Sequence, residues 1–439
     1  MEDTGALLFE KANALHIEGK FEEAEREYDA LLTQNHDHIG LLASMGTLFL
    51  SMHKYGLAMS LLHRALEKSK DRPSEVVANL AIAYRYSGQH EKAMKLLEEA
   101  CRNNPSPETL TTYGAMFVES DEQDKAVRVI ERALSMNPQL ALAHWNLAIF
   151  LLTAGQWERA WDEYEWGFKC KMRIERHPQI PFWKGEPGTV LVYGEQGIGD
   201  EIMFASMIPD LMKTNKVIFE CHTRLKTLFE KSFGIECHGT REDADVTYQA
   251  DYKLSIGSLG KFFRRTRESF PGTPYLKSES APKGKKFRVG ISWTGGLKAG
   301  RVRTRTVPLS WWKSILNNDC EFISLQYTDC ADEIKLLEDQ GYEIKQFPEI
   351  KAQDYYETAK LVKSCDLVIS VATSVIHLAG ALGVPTWVMT PKNPAWRYQN
   401  KGPIPWYRSV RLYRKPESWI PVVQQIGLDL SDLRKELAA

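Results

Sequence analysis

A strong charge of either sign is missing from this sequence. Its 56 Lys and Arg stand against 57 Asp and Glu, a formal net charge of −1 over 439 residues. No global field steers such a chain to nucleic acid or to an anionic lipid surface, so any charge-driven site has to be local. Cysteine is sparse. Cys101, Cys170, Cys221, Cys237, Cys320, Cys330 and Cys365 are odd in number, scattered and nowhere spaced C-x-x-C, which excludes a disulfide framework or a structural zinc and fits a reducing cytosol. Cys221-His222 and Cys237-His238 form two doublets, but each follows a strand-like segment and reads as strand-end residues, not metal ligands. The opening MEDTGALLFE lacks the basic head and apolar core of a secretory signal, so a cytoplasmic chain is expected. One long stretch, Leu367 to Thr390, carries no formal charge and could span a bilayer. Ser370, Thr373, Ser374, His377, Gly380, Gly383 and Pro385 divide it into strand, helix and strand, so no integral membrane segment is expected.

What is present is enough apolar matter for two or three domains, 43% hydrophobic against 26% charged. Internal repetition comes first. Ala24, Ala58, Ala93, Ala126 and Ala160 recur at steps of 34, 35, 33 and 34 residues. Apolar residues stand four positions further on, at Tyr28, Leu62, Leu97, Ile130 and Tyr164, and small residues twelve positions before, at Ala12, Gly46, Ala81, Gly114 and Ala148. Period and register in five copies resemble the tetratricopeptide repeat. The resemblance implies a helix-turn-helix unit repeated about five times over residues 1–170, stacked into a solenoid whose groove holds a peptide or protein partner. The plain alternative is a spacer or a dimerisation surface, which leaves a homo-oligomer open. The fifth unit's last helix, WERAWDEYEWGFK, is so aromatic that the following domain is expected to cover it. Residues 171–188 read as an extended, packed linker.

From residue 189 strands alternate with helices, which implies parallel pairing and ligand sites at strand carboxyl ends. In a first half, 189–280, Val190 to Tyr193 reads as a strand, Asp200 to Leu211 as a helix, and Gly194 to Glu201 (GEQGIGDE) as the turn between them. Gly197 and Gly199 are expected to supply φ > 0 and close backbone approach to a ligand. Asp200 and Glu201 repel an anion, so the turn is read as holding a reacting group. KVIFEC, IECH and VTYQ are read as further strands, and Thr223 to Phe233 as a helix. Asp243-Ala244-Asp245 is a D-x-D in a polar loop and is read as solvated; Ser258-Leu259-Gly260 reads as an ordinary capped turn. Residues 271–286 read as an interdomain hinge.

The second half, 285–425, opens with the strand RVGISW. Its exit loop carries Lys298, Arg301, Arg303 and Arg305, and glycines beside cations after a parallel strand suit a diphosphate. Gln326 and Tyr327 end the strand EFISLQY, where they could touch a nucleoside. Thr373 and Ser374 open a helix at the end of the strand carrying Ser370, with His377 one turn in. Trp396, Arg397, Tyr398, Trp406 and Tyr407 either stack on a base or sugar or pin a proline-rich loop. A last helix is expected over 426–439.

LVYGEQGIGDEIMFASMIPDL, VGISWTGG with its following R-x-R, PLSWW, FISLQY and CDLVISVATSVIHLAGALGVPTWV, in this order after a repeat array, resemble bacterial tetratricopeptide-repeat glycosyltransferases. These are related to the heptosyltransferases and distantly to the O-linked N-acetylglucosamine transferases. The resemblance implies an all-α solenoid followed by a GT-B fold of two Rossmann-like α/β halves, an acceptor side and a nucleotide-sugar donor side. It also implies transfer of a sugar from a nucleotide diphosphate to a hydroxyl, with no metal and no cofactor beyond that substrate. By the same resemblance Asp200 matches the base, and Ser370, Thr373, Ser374 and His377 match the helix that helps hold the nucleotide sugar. On chemical grounds Glu201 or His377 stands next as base, Arg303 and Arg305 with the helix start at Ser374 are expected to neutralise the diphosphate, Gln326 and Tyr327 to contact the nucleoside, and Gln196, Gly197 and Gly199 to shape the acceptor side. Ala372-Thr373-Ser374 stands where the family has Asp-Thr-Gly, which leaves the donor open. The rival reading is a non-catalytic scaffold.

Overall fold

The computed structural model describes residues 2–119, 122–241, 246–295, 305–351, 353–415 and 417–438. Lys298, Arg301, Arg303 and the D-x-D at Asp243 to Asp245 lie outside the described residues. Two compact units divide between Phe150 and Leu151.

The first unit is helical. Its pairs are Glu2–Ile17 with Phe21–Gln34, Ile39–Ser51 with Tyr55–Lys68, Ser74–Tyr86 with His90–Asn103, and Pro107–Met116 with Gln123–Met136. The repeated alanines explain the pairing. Ala24, Ala58, Ala93 and Ala126 are fully buried, as are Ala12 and Ala81 on the first helices of their pairs. Where the register carries glycine, the helices are closer still. A Cβ on Gly46 would lie 2.7 Å from Leu62 Cγ, and one on Gly114 only 2.4 Å from Ile130 Cγ1, inside any real carbon–carbon contact. Turns between paired helices close on Gly19 and Gly88, at φ +78° and +82°, a conformation that strains residues with a side chain.

The helix Ala141–Ala154 crosses the division, and Trp157–Tyr164 belongs to the second unit. There the aromatic cluster is covered as its composition suggested. Trp157, Trp161 and Tyr164 are all buried. Trp161 donates its indole N–H to Arg264 O at 2.7 Å, and its ring stands edge-on to Trp396 at 6.0 Å. Gly260 has no room for a Cβ against that indole, 2.7 Å away.

The rest of the second unit holds two parallel sheets. The first, ordered β3-β2-β1-β4, comprises β1 (Thr189–Tyr193), β2 (Lys216–Glu220), β3 (Glu236–His238) and β4 (Tyr252–Ser255). The second, ordered β10-β9-β8-β5-β6-β7, comprises β5 (Arg288–Ser292), β6 (Glu321–Ser324), β7 (Ile344–Lys345), β8 (Leu367–Val371), β9 (Thr386–Thr390) and β10 (Val410–Arg414). Strand order reverses at β1/β4 and at β5/β8. Loops leaving the strands part there, which opens a crevice at each sheet's carboxyl edge.

Five expectations need correction. VTYQ, 246–249, is not a strand; β4 lies further on, because YKLS pairs Tyr252 to Ser255 with Val190 to Tyr193, while Tyr248 packs against His177 and His238 at 5.3 and 5.0 Å. Helices expected to be continuous are broken: Ile198–Ala205 is followed by Ile208–Leu211, and Thr223–Leu225 is a 3-10 turn before Lys226–Phe233. The segment 271–286 is tied down along its length. Tyr275 and Leu276 both donate to Ala381 O at 3.0 and 3.1 Å, Gly272 O accepts from Arg408 N at 2.8 Å, and Ala281 donates to Lys360 O at 2.9 Å. The last helix begins at Ile420, not 426, since Val422 and Val423 as well as Ile426 and Leu430 join the core of the second sheet.

Candidate functional site

The chain leaves β1 through Gly194 and Glu195, and the positive φ of the turn falls on Gln196, at +62°. Gly197 caps the next helix at φ −97°, so neither Gly197 nor Gly199 is needed for a left-handed backbone. Gly199 alone of the two is short of space, since a Cβ on Gly197 would meet only Asp200 Oδ2, at an ordinary 3.5 Å. A Cβ on Gly199 would stand 3.1 Å from His377 Cδ2 and 3.2 Å from Ser374 Cα. Through this residue the helix after β1 abuts the helix after β8, so the two sheets' carboxyl edges face each other.

Asp200 and Glu201, neighbours in sequence, part here. One helical step is 100°, which turns Asp200 to the crevice and Glu201 to the interior. Glu201 is fully buried. Its Oε1 accepts from His222 N at 2.8 Å and its Oε2 from Arg241 Nη1 at 2.6 Å; a Cβ on Gly194 would lie 2.5 Å from the same carboxylate. The expected stand-in base is thus a tether holding the exit loops of β2 and β3 to the helix after β1. Glu201→Gln is expected to lower the unfolding free energy by about 1.5–3 kcal/mol, read by urea denaturation. Unchanged stability with lost turnover would restore its chemical role. Asp200 instead pairs through Oδ1 with Arg397 Nη2, both side chains keeping some exposure, 17% and 14%.

On the opposite side Thr373 caps the helix Ser374–Leu382 with no side-chain bond to it, so the first backbone N–H groups of that helix face the crevice. Ser374 Oγ accepts from Tyr355 OH at 3.3 Å. His377 is buried between two phenols, Nδ1 3.1 Å from Tyr407 OH and Nε2 3.4 Å from Tyr398 OH. Burial first, then Arg397 and Arg305, hold its pKa well below the ordinary histidine value, so the imidazole is neutral at neutral pH. Tyr398 is pushed up to about 12 by the same burial, with Arg397 and Arg305 working against it.

These groups line one cavity of about 440 Å³, a volume suited to a nucleotide-sized ligand. Of the residues singled out by sequence, Gln196, Gly197, Gly199, Asp200, Arg305, Tyr327, Thr373, Ser374 and His377 meet there. Glu201, Ser370 and Gln326 do not line it. Gln326 is a staple between strand exits: Oε1 accepts from Trp293 N and Thr294 N at 3.2 and 3.1 Å, and Nε2 donates to Thr294 O at 3.1 Å. Ser370 is fully buried and donates to Val371 O at 2.7 Å. The lining residues that the sequence does not single out for the site include Arg224, Arg241 and Tyr355. The signal was available, since Arg224 and Arg241 follow β2 and β3 as Arg305 follows β5, and the same rule of cations at strand exits finds them. Among the described residues, Arg224, Arg241, Arg305 and Arg397 make four guanidinium groups against one lining carboxylate, Asp200.

The histidines of the two doublets are engaged by their neighbours. His222 Nδ1 accepts from Arg224 N at 3.2 Å and His238 pairs with Glu236 at 2.7 Å, while burial raises the Cys237 thiol to about 12. Among the described residues no three His, Cys, Asp or Glu side chains gather as metal ligands, and no helix is long and apolar enough to cross a membrane. A second cavity, about 450 Å³, is bordered by Ser206, Arg264, Tyr275 and Trp406 and holds none of the residues expected at the site.

Family models of the tetratricopeptide repeat match residues 74–107 and 118–165. These segments are tetratricopeptide repeats. The second match ends just beyond Tyr164, so the repeat pattern runs past Phe150 into the second compact unit. Protein FlbA of Caulobacter vibrioides is 27% identical over 494 residues, covering 94% of this chain and 82% of that protein. The BBSome complex member BBS4 of Bos taurus is 25% identical over 158 residues, 35% of this chain and 30% of BBS4. Among solved structures, the thermophilic repeat protein TTC0263 of Thermus thermophilus covers 38% of this chain and 90% of its own, at 19% identity and a TM-score of 0.34.

Proposed function

We propose that this chain is a glycosyltransferase of GT-B type whose repeats hold the protein acceptor or a partner, and whose cleft takes a nucleotide-diphosphate sugar. The observation that carries the reading is the convergence of strand exits from both sheets on one cavity that has, among the described residues, four arginines, a helix start and a single carboxylate. A diphosphate leaving group wants charge neutralisation and backbone N–H donors, and an acceptor hydroxyl wants one base. In the reaction the acceptor O–H gives its proton to the Asp200 carboxylate as the oxygen bonds to the sugar's anomeric carbon. The bond from that carbon to the diphosphate oxygen breaks, and its electron pair leaves with the diphosphate. Arg305 and the N–H groups at Ser374 stabilise that charge. His377 has its two ring nitrogens engaged by the hydroxyls of Tyr407 and Tyr398, and it fixes those phenols behind the cleft.

A second reading, a repeat scaffold with a non-catalytic body, is favoured by the Asp200–Arg397 ion pair, which occupies the carboxylate, and by Ala372 in place of an acid. The family matches support the partner-binding half of either reading, since stacked repeats of this kind present interaction surfaces. Isothermal titration of the full chain with UDP, GDP and ADP separates them. One saturable ligand is expected, weakened about tenfold or more by Arg305→Ala, as loss of a charge-assisted hydrogen bond predicts. No binding to any of the three overturns the transferase and leaves the scaffold.

A further inference from the structure

We infer that Arg397 is an exchangeable counterion, paired with Asp200 in the empty cleft and handed to the donor's diphosphate when it arrives, so that the base is released only after the donor is bound. The inference rests on the diphosphate occupying the cleft as proposed above.

Two carboxylate–arginine pairs of opposite character start from neighbouring residues of the helix after β1. Glu201–Arg241 is internal: the carboxylate is fully buried and also accepts a backbone N–H, so an incoming anion cannot replace it. Asp200–Arg397 is at the cavity wall, both partners line it, and both remain partly exposed. A pair in that position is within reach of an incoming anion, which can compete with Asp200 for the guanidinium.

The two partners come from different sheets. Asp200 sits in the first turn after β1, and Arg397 in the 3-10 turn Trp396–Tyr398 that follows β9. The backbone of that turn is fixed. Trp396 is buried against Phe204 and Trp406, with ring centroids 6.1 and 6.3 Å away, and Tyr398 is 2% exposed beside His377. Only the Arg397 side chain is left to move. Its Nη2 is on Asp200, while its Nε finds no hydrogen-bond partner among the described residues. A planar guanidinium with an unused donor beside a single-charge partner gains by turning to a diphosphate, which carries more charge and accepts bidentately. The exchange leaves Asp200 Oδ1 open toward the position of the acceptor hydroxyl. It involves no covalent step, and it makes donor binding precede acceptor activation.

Titration of the full-length protein with UDP, GDP and ADP, one at a time, tests this through the direction of two variants. Removing the carboxylate that competes for Arg397 is expected to tighten the ligand: Asp200→Asn binds about three- to fivefold better than wild type. Arg397→Ala binds about tenfold worse, and Arg397→Lys falls between. Were the pair a purely structural clasp, both substitutions would weaken binding together, and that result, or no change in Asp200→Asn, overturns the exchange while leaving the transferase standing. Circular dichroism of each variant confirms that the fold is kept. If wild type binds none of the three nucleotides, the transferase reading and the exchange fall together.

Discussion

Asp200→Asn is expected to lower sugar transfer by about 10²–10⁴-fold, the contribution of a positioned general base. Asparagine has nearly the same shape and keeps a carbonyl oxygen toward Arg397, but it cannot accept the acceptor's proton. Among the described residues no other carboxylate lines the cavity to substitute. Glu201 is one residue away and turned into the interior on Arg241, and His377 is enclosed by Tyr398 and Tyr407. The assay is turnover of a nucleotide sugar by the full chain, with nucleotide affinity measured on the same sample. Lost turnover with retained or tightened nucleotide binding is the expected pair of results. Full turnover with asparagine at 200 would remove Asp200 from the chemistry altogether.

Arg173→Ala is expected to be the most damaging single change to stability outside the sheet cores, by about 3–5 kcal/mol, because it strands buried carboxylate charge. Arg173 lies in the stretch that reads as a linker, yet its guanidinium is buried. Nε donates to both Glu195 oxygens at 3.2 and 2.9 Å, Nη1 to Glu165 at 2.8 Å, and Nη2 to Ser258 Oγ at 2.7 Å. The rings of Tyr164 and Phe168 stand 4.4 and 4.1 Å from its Cζ. One side chain therefore joins the end of the repeat region, the exit of β1 and the turn after β4. Urea unfolding checks the loss, with a fall in midpoint temperature of about 10 °C as the thermal counterpart. Arg173→Lys keeps the charge but not the fork of donors, and is expected to recover less than half. A loss below about 1 kcal/mol in the alanine variant would show that the network does not anchor this junction.

Much of the site was legible because its signals are local. Strand exits carrying glycine, a carboxylate or cations were read at Gly194 to Asp200, at Arg305 and at Thr373-Ser374, and all three meet in the cavity. The failures have a common form. Asp200 and Glu201 carry the same chemistry side by side, and only the 100° helical step against a neighbouring loop separates cleft from core. Gln326 looked like a nucleoside contact because it ends a strand; its amide is spent on Trp293 and Thr294. Gly199 looked like a backbone cradle, and its actual role depends on a helix some 175 positions away in sequence meeting it at Ser374.

The sequence by itself determined the repeat register, the alternation of strand and helix and the loops that bear functional side chains. These follow from periods of about 34, 3.6 and 2 residues, and a period is a property of neighbouring positions. Tertiary structure alone decided which of those side chains act together. The order of strands in each sheet sets which exits adjoin, and so places Arg224, Arg241 and Arg397 around Asp200. Ion pairs such as Asp200–Arg397 join residues with no shared period, so only the packed chain could specify them.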